Sequence, residues 1–283
     1  MLEIDNMVKM SVKLGLHSDI FPKDFTVIQK LEHTAKTGHK AIEFEIGPYD
    51  SFLYKPLRSI VPRFLGKMER REIRETADGL NVKIKSLCYG LYASPYYNLV
   101  DPNPKYRELA FDQIHDTMNL ANDLLSDLIL ILIVDIPGAS PKMRKRLLKD
   151  SILRLDRLSQ DAGITIALEP LAPSFFLNWK QVLPFLEGVG SNVSCYFDIG
   201  NTAAMGLSFE DEIMNLGNKI AQIHAKECQG DPRLDLGIVN WDAFFQVLRE
   251  IRYDGYIIIE LPSDPVDPDK VAYKSRIFFS KYV

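Results

Sequence analysis

The feature that most constrains this chain is the alternation of eight short β-rich segments with longer helical patterns. The β-rich segments cover residues 8–16, 41–47, 82–90, 127–135, 165–170, 193–200, 220–227 and 255–262. Between them lie segments with the apolar spacing of amphipathic helices, such as residues 105–124 and 142–163. Strands that alternate with helices form parallel β-α-β units.

Eight such units in 283 residues predict an α/β fold, the (β/α)₈ or TIM barrel. The competing architecture is an open doubly wound sheet. That fold usually has a glycine-rich phosphate-binding turn after its first strand, and no such turn follows residues 8–16. Because no linker or change in composition divides the chain, we expect residues 1–283 to form a single domain.

Charge and composition exclude several classes of partner. The net charge of −4 and the pI of about 5.8 give no electrostatic reason to expect nucleic acid or an anionic membrane. The longest apolar run, residues 128–134, is far shorter than the roughly 20 residues that cross a bilayer. Cys88, Cys195 and Cys228 are widely spaced, which suits a reducing compartment, and the acidic N-terminus is a poor signal peptide. We therefore expect a soluble, cytoplasmic protein.

Ionisable residues stand at the carboxyl ends of four consecutive predicted strands, where the active site of such a barrel is built. They are Glu169, Asp198, His224 and Glu260. Alternation along a strand places Glu169 and His224 opposite the large apolar side chains, so both should point into the barrel. Both faces of the eighth segment are apolar, so its alternation does not orient Glu260.

Three carboxylates and an imidazole that converge on one point need a cation. Each residue taken alone has a simpler interpretation, as a helix cap, an ion pair or a hydrogen-bonded core histidine. Taken together, the four predict one divalent metal ion. The oxygen-rich set favours Mn²⁺, while Mg²⁺, Co²⁺ and Zn²⁺ are also compatible with it.

Four segments carry a resemblance to a known family: ITIALEP (164–170), NVSCYFDIGN (192–201), IAQIHAKE (220–227) and GIVNWDAFFQVLREIRYDGYIIIELP (237–262). They resemble the xylose-isomerase-like TIM-barrel superfamily, the sugar (phosphate) isomerase/epimerase group that is related to ketose 3-epimerases and endonuclease IV. The resemblance implies that the four residues above are metal ligands. It also implies that Glu169 and Glu260 form a catalytic acid/base pair.

The implied activity is a metal-dependent isomerase or 3-epimerase acting on a sugar or sugar phosphate. One glutamate removes the proton next to the carbonyl, the metal stabilises the enediolate, and the other glutamate returns the proton on the opposite face. A dehydratase of the inosose or dehydroshikimate type is the alternative. A sugar-binding barrel without catalysis is less favoured, because binding does not require two opposed bases. An endonuclease IV-like enzyme is also less favoured, because the segments CYGLY, IVDIP and ECQGDPRLD lack the histidines of a three-metal cluster.

Further residues are candidate contacts for a small carbohydrate substrate: Lys226, Asn201, Arg233, Glu45 and His17. Lys226 shares the inward face of His224, whereas a solvated loop charge is the alternative for Arg233. Asn201 could bind the sugar or cap a helix. Glu43 and Glu45 share one face of the second strand, where either a sugar contact or a buried polar layer is expected. The same two interpretations apply to His17, and the sequence leaves a homo-oligomer open.

Overall fold

The computed structural model describes residues 10–47, 60–90, 98–134, 139–170, 178–227, 234, 237–262 and 267–283. Within these ranges, eight parallel strands follow one another around a closed barrel in the order of the sequence. The barrel closes where Lys13–Leu16 of the first strand pair with Tyr256–Ile259 of the last. The predicted (β/α)₈ barrel is confirmed.

The strands lie within or close to the predicted segments. They are β1 (Lys13–His17), β2 (Ala41–Ile46), β3 (Lys83–Tyr89), β4 (Leu128–Ile133), β5 (Thr165–Pro170), β6 (Val193–Asp198), β7 (Ile220–Ala225) and β8 (Tyr256–Ile259). Residues 8, 9 and 135 of the predicted segments lie outside the described residues.

The predicted end of the sixth strand at residue 200 is wrong. A helix begins at Ile199, because the Asp198 carboxylate accepts a hydrogen bond from the backbone N–H of Asn201 and caps the new turn. Gly200 lets this turn lie against the end of β7, since a Cβ there would stand 2.5 Å from Cγ of Lys226. The close approach sets Asp198 beside the β7 residues of the site.

The helices of the described residues are α1 (Val27–Lys36), α2 (Lys67–Gly79), α3 (Pro104–Asp123), α4 (Pro141–Ala162), α5 (Trp179–Leu186), α6 (Ile199–Ala204), α7 (Phe209–Leu216), α8 (Trp241–Glu250) and α9 (Pro268–Phe279). Local sequence sets several boundaries. Thr26 and Gln29 form a capping box at the start of α1, and Gly163 ends α4 in the left-handed region at φ 68°. Among these helices none has the length and apolarity that would span a membrane.

Two apolar layers result from the alternation along the strands. Ile166, Leu168 and Ile223 belong to the large core between the strands and the helices. Leu130, Ala167 and Tyr196 belong to a smaller cluster inside the barrel. Ala167 shares its face with Glu169, so Glu169 points inward, as the sequence predicts.

Candidate metal centre and sugar cavity

The side chains of the four predicted ligands meet at the carboxyl ends of β5 to β8. From Nδ1 of His224, the nearest carboxylate oxygens of Glu260, Glu169 and Asp198 lie at 3.1, 3.6 and 3.8 Å. Glu169, Asp198 and His224 are buried, whereas the Glu260 side chain is 28% exposed. One small region therefore holds three carboxylates and an imidazole nitrogen.

Two buried atoms of this cluster, Oε2 of Glu169 and Nδ1 of His224, make no hydrogen bond, and Oδ2 of Asp198 has only an ion pair with Lys226. A donor set of these three residues lies within 4.8 Å of one another. Polar atoms buried without hydrogen bonds are costly unless something else satisfies them. The cluster thus fits a divalent cation in both geometry and donor chemistry.

The protonation of His224 agrees with ligation through Nδ1. Its Nε2 lies 2.6 Å from Oε1 of Glu43, which is fully buried. A carboxylate oxygen accepts, so Nε2 carries a proton. Nδ1, whose own proton a metal ion would displace, is on the side of the ring that faces Glu169, Asp198 and Glu260.

Electrostatics show an excess of negative charge. Burial alone would lower the pKa of His224, but the Glu260 and Glu43 carboxylates raise it well above its usual value. Burial raises the pKa of Glu169 to about 7, and the neighbouring Asp198 carboxylate adds to this shift. Both shifts favour uptake of positive charge, which a metal ion would supply.

The Lys226 ammonium places a positive charge beside the carboxylates of the cluster. Its Nζ lies 2.7 Å from Oδ2 of Asp198, as an ion pair, and donates to Oε2 of Glu260 at 2.8 Å. Burial would raise the pKa of Glu260, but Lys226 and His224 hold it well below its usual value. The Lys226 ammonium therefore competes for the oxygens that a metal would use.

Asn201 makes a contact that neither sequence interpretation included. Asp198, not Asn201, caps α6. The Asn201 side chain donates from Nδ2 to Oε1 of Glu169 at 2.7 Å. This bond holds one oxygen of Glu169 and leaves Oε2 directed toward His224 and the cluster.

A cavity of about 120 Å³ opens beside the cluster. Its walls include four of the candidate sugar contacts, together with three of the four candidate ligands. The lining residues are His17, Asp19, Glu45, Cys88, Gly90, Leu130, Leu132, Glu169, Asn201, His224, Lys226 and Glu260. The fifth candidate, Arg233, lies outside the described residues.

Glu45 and Asp19 form an acidic wall of this cavity. The sequence analysis named Glu45 as a candidate contact but did not single out Asp19. Burial, followed by the Asp19 carboxylate, raises the pKa of Glu45 to about 9, so Glu45 is protonated at neutral pH. Gly90 makes room for it, because a Cβ there would lie 2.6 Å from Oε1 of Glu45. Asp19 follows β1 in a short 3₁₀ turn, and no motif marked it in advance.

Glu43 occupies the buried polar layer that was one of the two expectations for this face of β2. Its carboxylate accepts hydrogen bonds from Ser86, Tyr196 and His224, and Nε2 of Gln222 lies 3.2 Å from it. His17 stands on the other side, with Nε2 3.8 Å from Oε1 of Glu43 and Nδ1 accepting from the backbone N–H of Asp19. His17 therefore stands beside Glu43 without a hydrogen bond to it, and the atoms of Glu43, His17 and His224 are close enough to form a second candidate metal group.

Glu227 is a buried residue that the sequence analysis did not single out. It accepts from the backbone N–H groups of Ile238 and Val239 and from Nε1 of Trp241. Gly237 packs directly on this carboxylate, where no Cβ would fit. The contacts tie the start of α8 to the end of β7, next to Lys226.

The histidines outside this region have other partners. His33 pairs with Asp269, His39 is buried beside Thr37, and His115 lies on α3. Among the described residues, the groups that could hold a metal ion all include His224.

Comparison with known proteins identifies the family of this chain. The family described as Xylose isomerase-like TIM barrel matches residues 31–282. An uncharacterised protein, MJ1311 of Methanocaldococcus jannaschii, is 29% identical over 181 residues, which are 58% of this chain and 60% of that protein. The L-ribulose-5-phosphate 3-epimerase UlaE of Escherichia coli is 20% identical over 278 residues, covering 95% and 94% of the two chains.

A solved structure supports the fold. The D-psicose 3-epimerase of Clostridium cellulolyticum H10, solved with D-tagatose, superposes with a TM-score of 0.81 at 18% identity, covering 96% of this chain and 99% of that one. The family match covers most of the chain, including all four candidate ligands. The chain therefore belongs to the xylose isomerase-like TIM barrel family.

Proposed function

We propose that this protein is a divalent-metal-dependent isomerase, a 3-epimerase of a ketose or ketose phosphate. The observation that carries the proposal is the convergence of donor atoms of Glu169, Asp198 and His224 within 4.8 Å of one another, beside the carboxylate of Glu260. The activities named for UlaE and for the D-psicose 3-epimerase support the substrate class. Mn²⁺ is the ion that the oxygen-rich donor set favours.

Two glutamates give the site its epimerase character. Glu169 comes from β5 and Glu260 follows β8, so the two carboxylates enter the site from strands that are not neighbours in the barrel. When bound, the divalent ion would polarise the substrate carbonyl and stabilise the enediolate. One glutamate removes the proton next to the carbonyl, and the other returns it from the opposite face.

The neighbouring polar residues would hold the sugar and orient the bases. Asn201 fixes Glu169 through its hydrogen bond at Oε1, and the Lys226 ammonium can donate to a sugar oxygen in the cavity. Glu45 and His17 line the same cavity, and Arg233 remains a proposed contact. The substrate partner is thus a small carbohydrate, whereas the cytoplasmic location and the oligomeric state stay predictions.

Hydrogen exchange tests the proposal directly. We expect the Mn²⁺-loaded protein in D₂O to incorporate deuterium at the carbon next to the carbonyl of a ketose or ketose phosphate, followed by mass spectrometry and NMR. With separate epimers as substrates, and with Mn²⁺ at a concentration that calorimetry shows to saturate each variant, Glu169→Gln should block exchange from one epimer and Glu260→Gln from the other. This pattern arises because each base faces one side of the substrate.

Glu72→Gln is the matched control, since Glu72 is an exposed glutamate on α2 and is not among the residues that line the cavity. It should leave exchange unchanged. Loss of water with a conjugated product would instead assign the dehydratase alternative. Absence of exchange across free and phosphorylated ketoses, with Mn²⁺ bound, would refute the proposal.

A further inference from the structure

One buried acid in the barrel is not explained by sugar binding or by metal ligation. Glu43 lies on β2 and has no exposed surface. It meets His224 from across the barrel, although the two residues are 181 positions apart in the sequence. A carboxylate buried this deeply is costly unless hydrogen bonds and opposite charge compensate for it.

The contacts of Glu43 supply both of its carboxylate oxygens with hydrogen-bond donors. Its Oε2 accepts from the Ser86 hydroxyl at 2.5 Å and the Tyr196 hydroxyl at 3.0 Å. Nε2 of Gln222 donates toward the same two hydroxyl oxygens at 2.6 and 3.0 Å, which leaves each hydroxyl proton for Glu43.

With Oε2 occupied in this way, Oε1 is available to His224. Nε2 of His224 approaches it at 2.6 Å, a distance typical of a charge-assisted hydrogen bond. The arrangement determines which nitrogen carries the proton. It also sets the rotation of the ring, so that Nδ1 lies 3.1 to 3.8 Å from the three carboxylates of the metal cluster.

We propose that Glu43 is a positioning residue that holds His224 with its proton on Nε2 and its Nδ1 lone pair presented to the metal ion. A carboxylate that fixes a metal-binding histidine typically contributes about 10- to 100-fold to metal affinity. The proposal rests on the proposed function in that it takes the ion to bind at Glu169, Asp198, His224 and Glu260. It adds that tight metal binding also requires Glu43, which reaches His224 from β2 on the other side of the barrel.

The first test measures the proton itself. In the wild-type protein, two-dimensional ¹H–¹⁵N NMR of the histidine rings should show a proton on Nε2 of His224 that is shifted downfield by the short hydrogen bond. The signal is expected both in the metal-free protein and after loading with diamagnetic Zn²⁺. A proton on Nδ1 in the Zn²⁺-loaded protein, or no hydrogen-bonded Nε2 proton in the metal-free protein, would overturn the proposal.

The second test changes Glu43. In Glu43→Gln, we expect the Nε2 proton to lose its downfield shift and Mn²⁺ affinity, measured by calorimetry with Mn²⁺ alone, to fall about 10- to 100-fold. Glu72→Gln is the matched control, because it makes the same change at an exposed glutamate of α2. Its Mn²⁺ affinity should match that of the wild type.

The outcomes separate this inference from the proposed function. If the wild type shows the Nε2 proton but binds no Mn²⁺, the metal-dependent function fails, and the role of Glu43 is limited to holding the ring. If Glu43→Gln binds Mn²⁺ like the wild type, the inference fails and the function stands. Should Glu43→Gln not fold, the wild-type NMR measurement still decides which nitrogen carries the proton.

Discussion

The two halves of the barrel, β1–β4 and β5–β8, contribute different kinds of residue to the site. Each strand from β5 to β8 places one candidate ligand at its carboxyl end or directly after it. In the other half, β4 is apolar throughout, with the sequence LILILI, and β1 to β3 contribute groups below or beside the cluster. Glu43 lies beneath His224, while Glu45 and His17 line the cavity wall.

This difference separates the ligands from their support. A metal ion needs donors at one height, and consecutive parallel strands provide them because their carboxyl ends meet at the same edge. The orientation of those donors needs partners from a different direction, and the opposite wall of a closed barrel provides them. The following substitutions test that division, from the largest expected effect to the smallest.

Removing a ligand from the β5–β8 half should have the largest effect. We expect Asp198→Asn to abolish measurable Mn²⁺ binding and to reduce isomerase activity by about a thousandfold, because several kcal/mol of metal-assisted stabilisation is lost. Asparagine can still cap α6, so the fold should be retained. Ser208→Ala removes a comparable cap from α7, and it should lower stability by about 1 kcal/mol while activity is unchanged.

Loosening one ligand inside the same half should have an intermediate effect. Asn201→Ala removes the 2.7 Å hydrogen bond to Oε1 of Glu169. A hydrogen bond to a charged group is worth roughly 1.5 to 3 kcal/mol, so we expect kcat to fall at least about tenfold. Steady-state kinetics beside Mn²⁺ calorimetry checks this. A fall in Mn²⁺ affinity alone, with kcat preserved, would show that Asn201 supports ligation and not the base.

The cavity wall of the β1–β4 half should respond to pH rather than to metal. The pKa of Glu45 is raised to about 9, so the folded protein keeps a proton that the unfolded chain releases above its ordinary carboxyl pKa. The stabilisation is fully present at acidic pH and declines as the pH rises toward 9. Urea unfolding from pH 5 to 9 should therefore show a falling free energy of unfolding, and the fall should be smaller in Glu45→Gln. An identical slope in the variant would contradict the assignment.

Charges outside the barrel should matter least. Glu108 of α3 and Arg154 of α4 form a two-bonded ion pair on the surface. Exposed ion pairs contribute between about 0 and 1 kcal/mol, so Glu108→Gln should change stability by no more than that. Mn²⁺ affinity and exchange in D₂O should match the wild type. A loss of activity here would show that the site depends on the helical layer as well as on the strands.

Much of this molecule could be predicted because its signals are local. The alternation of strand and helix patterns gave the barrel, and the position of Glu169, Asp198 and Glu260 at strand ends placed them in one cluster. The strand alternation that pointed Glu169 and Lys226 inward is confirmed by their place on the cavity wall. These features depend only on neighbouring residues and the period of a strand.

Other features could not be predicted from local patterns. Asn201 had two expected roles, and its actual contact, with Glu169, depends on how closely α6 approaches β5. The Asp19 side chain reaches the cavity through a turn whose course follows no motif. Glu227 lies beyond the last strand residue of β7, and its partners come from the segment before α8.

The sequence by itself determined the barrel, the height of the four candidate ligands and the inward direction of Glu169 and His224. These follow from periodicity and from the common edge of parallel strands. Only the tertiary structure decided which nitrogen of His224 faces the cluster, because that choice depends on Glu43, 181 residues away. Closure of the barrel brings Glu43 and His224 together. The local sequence pattern of either strand does not indicate a contact that depends on this closure.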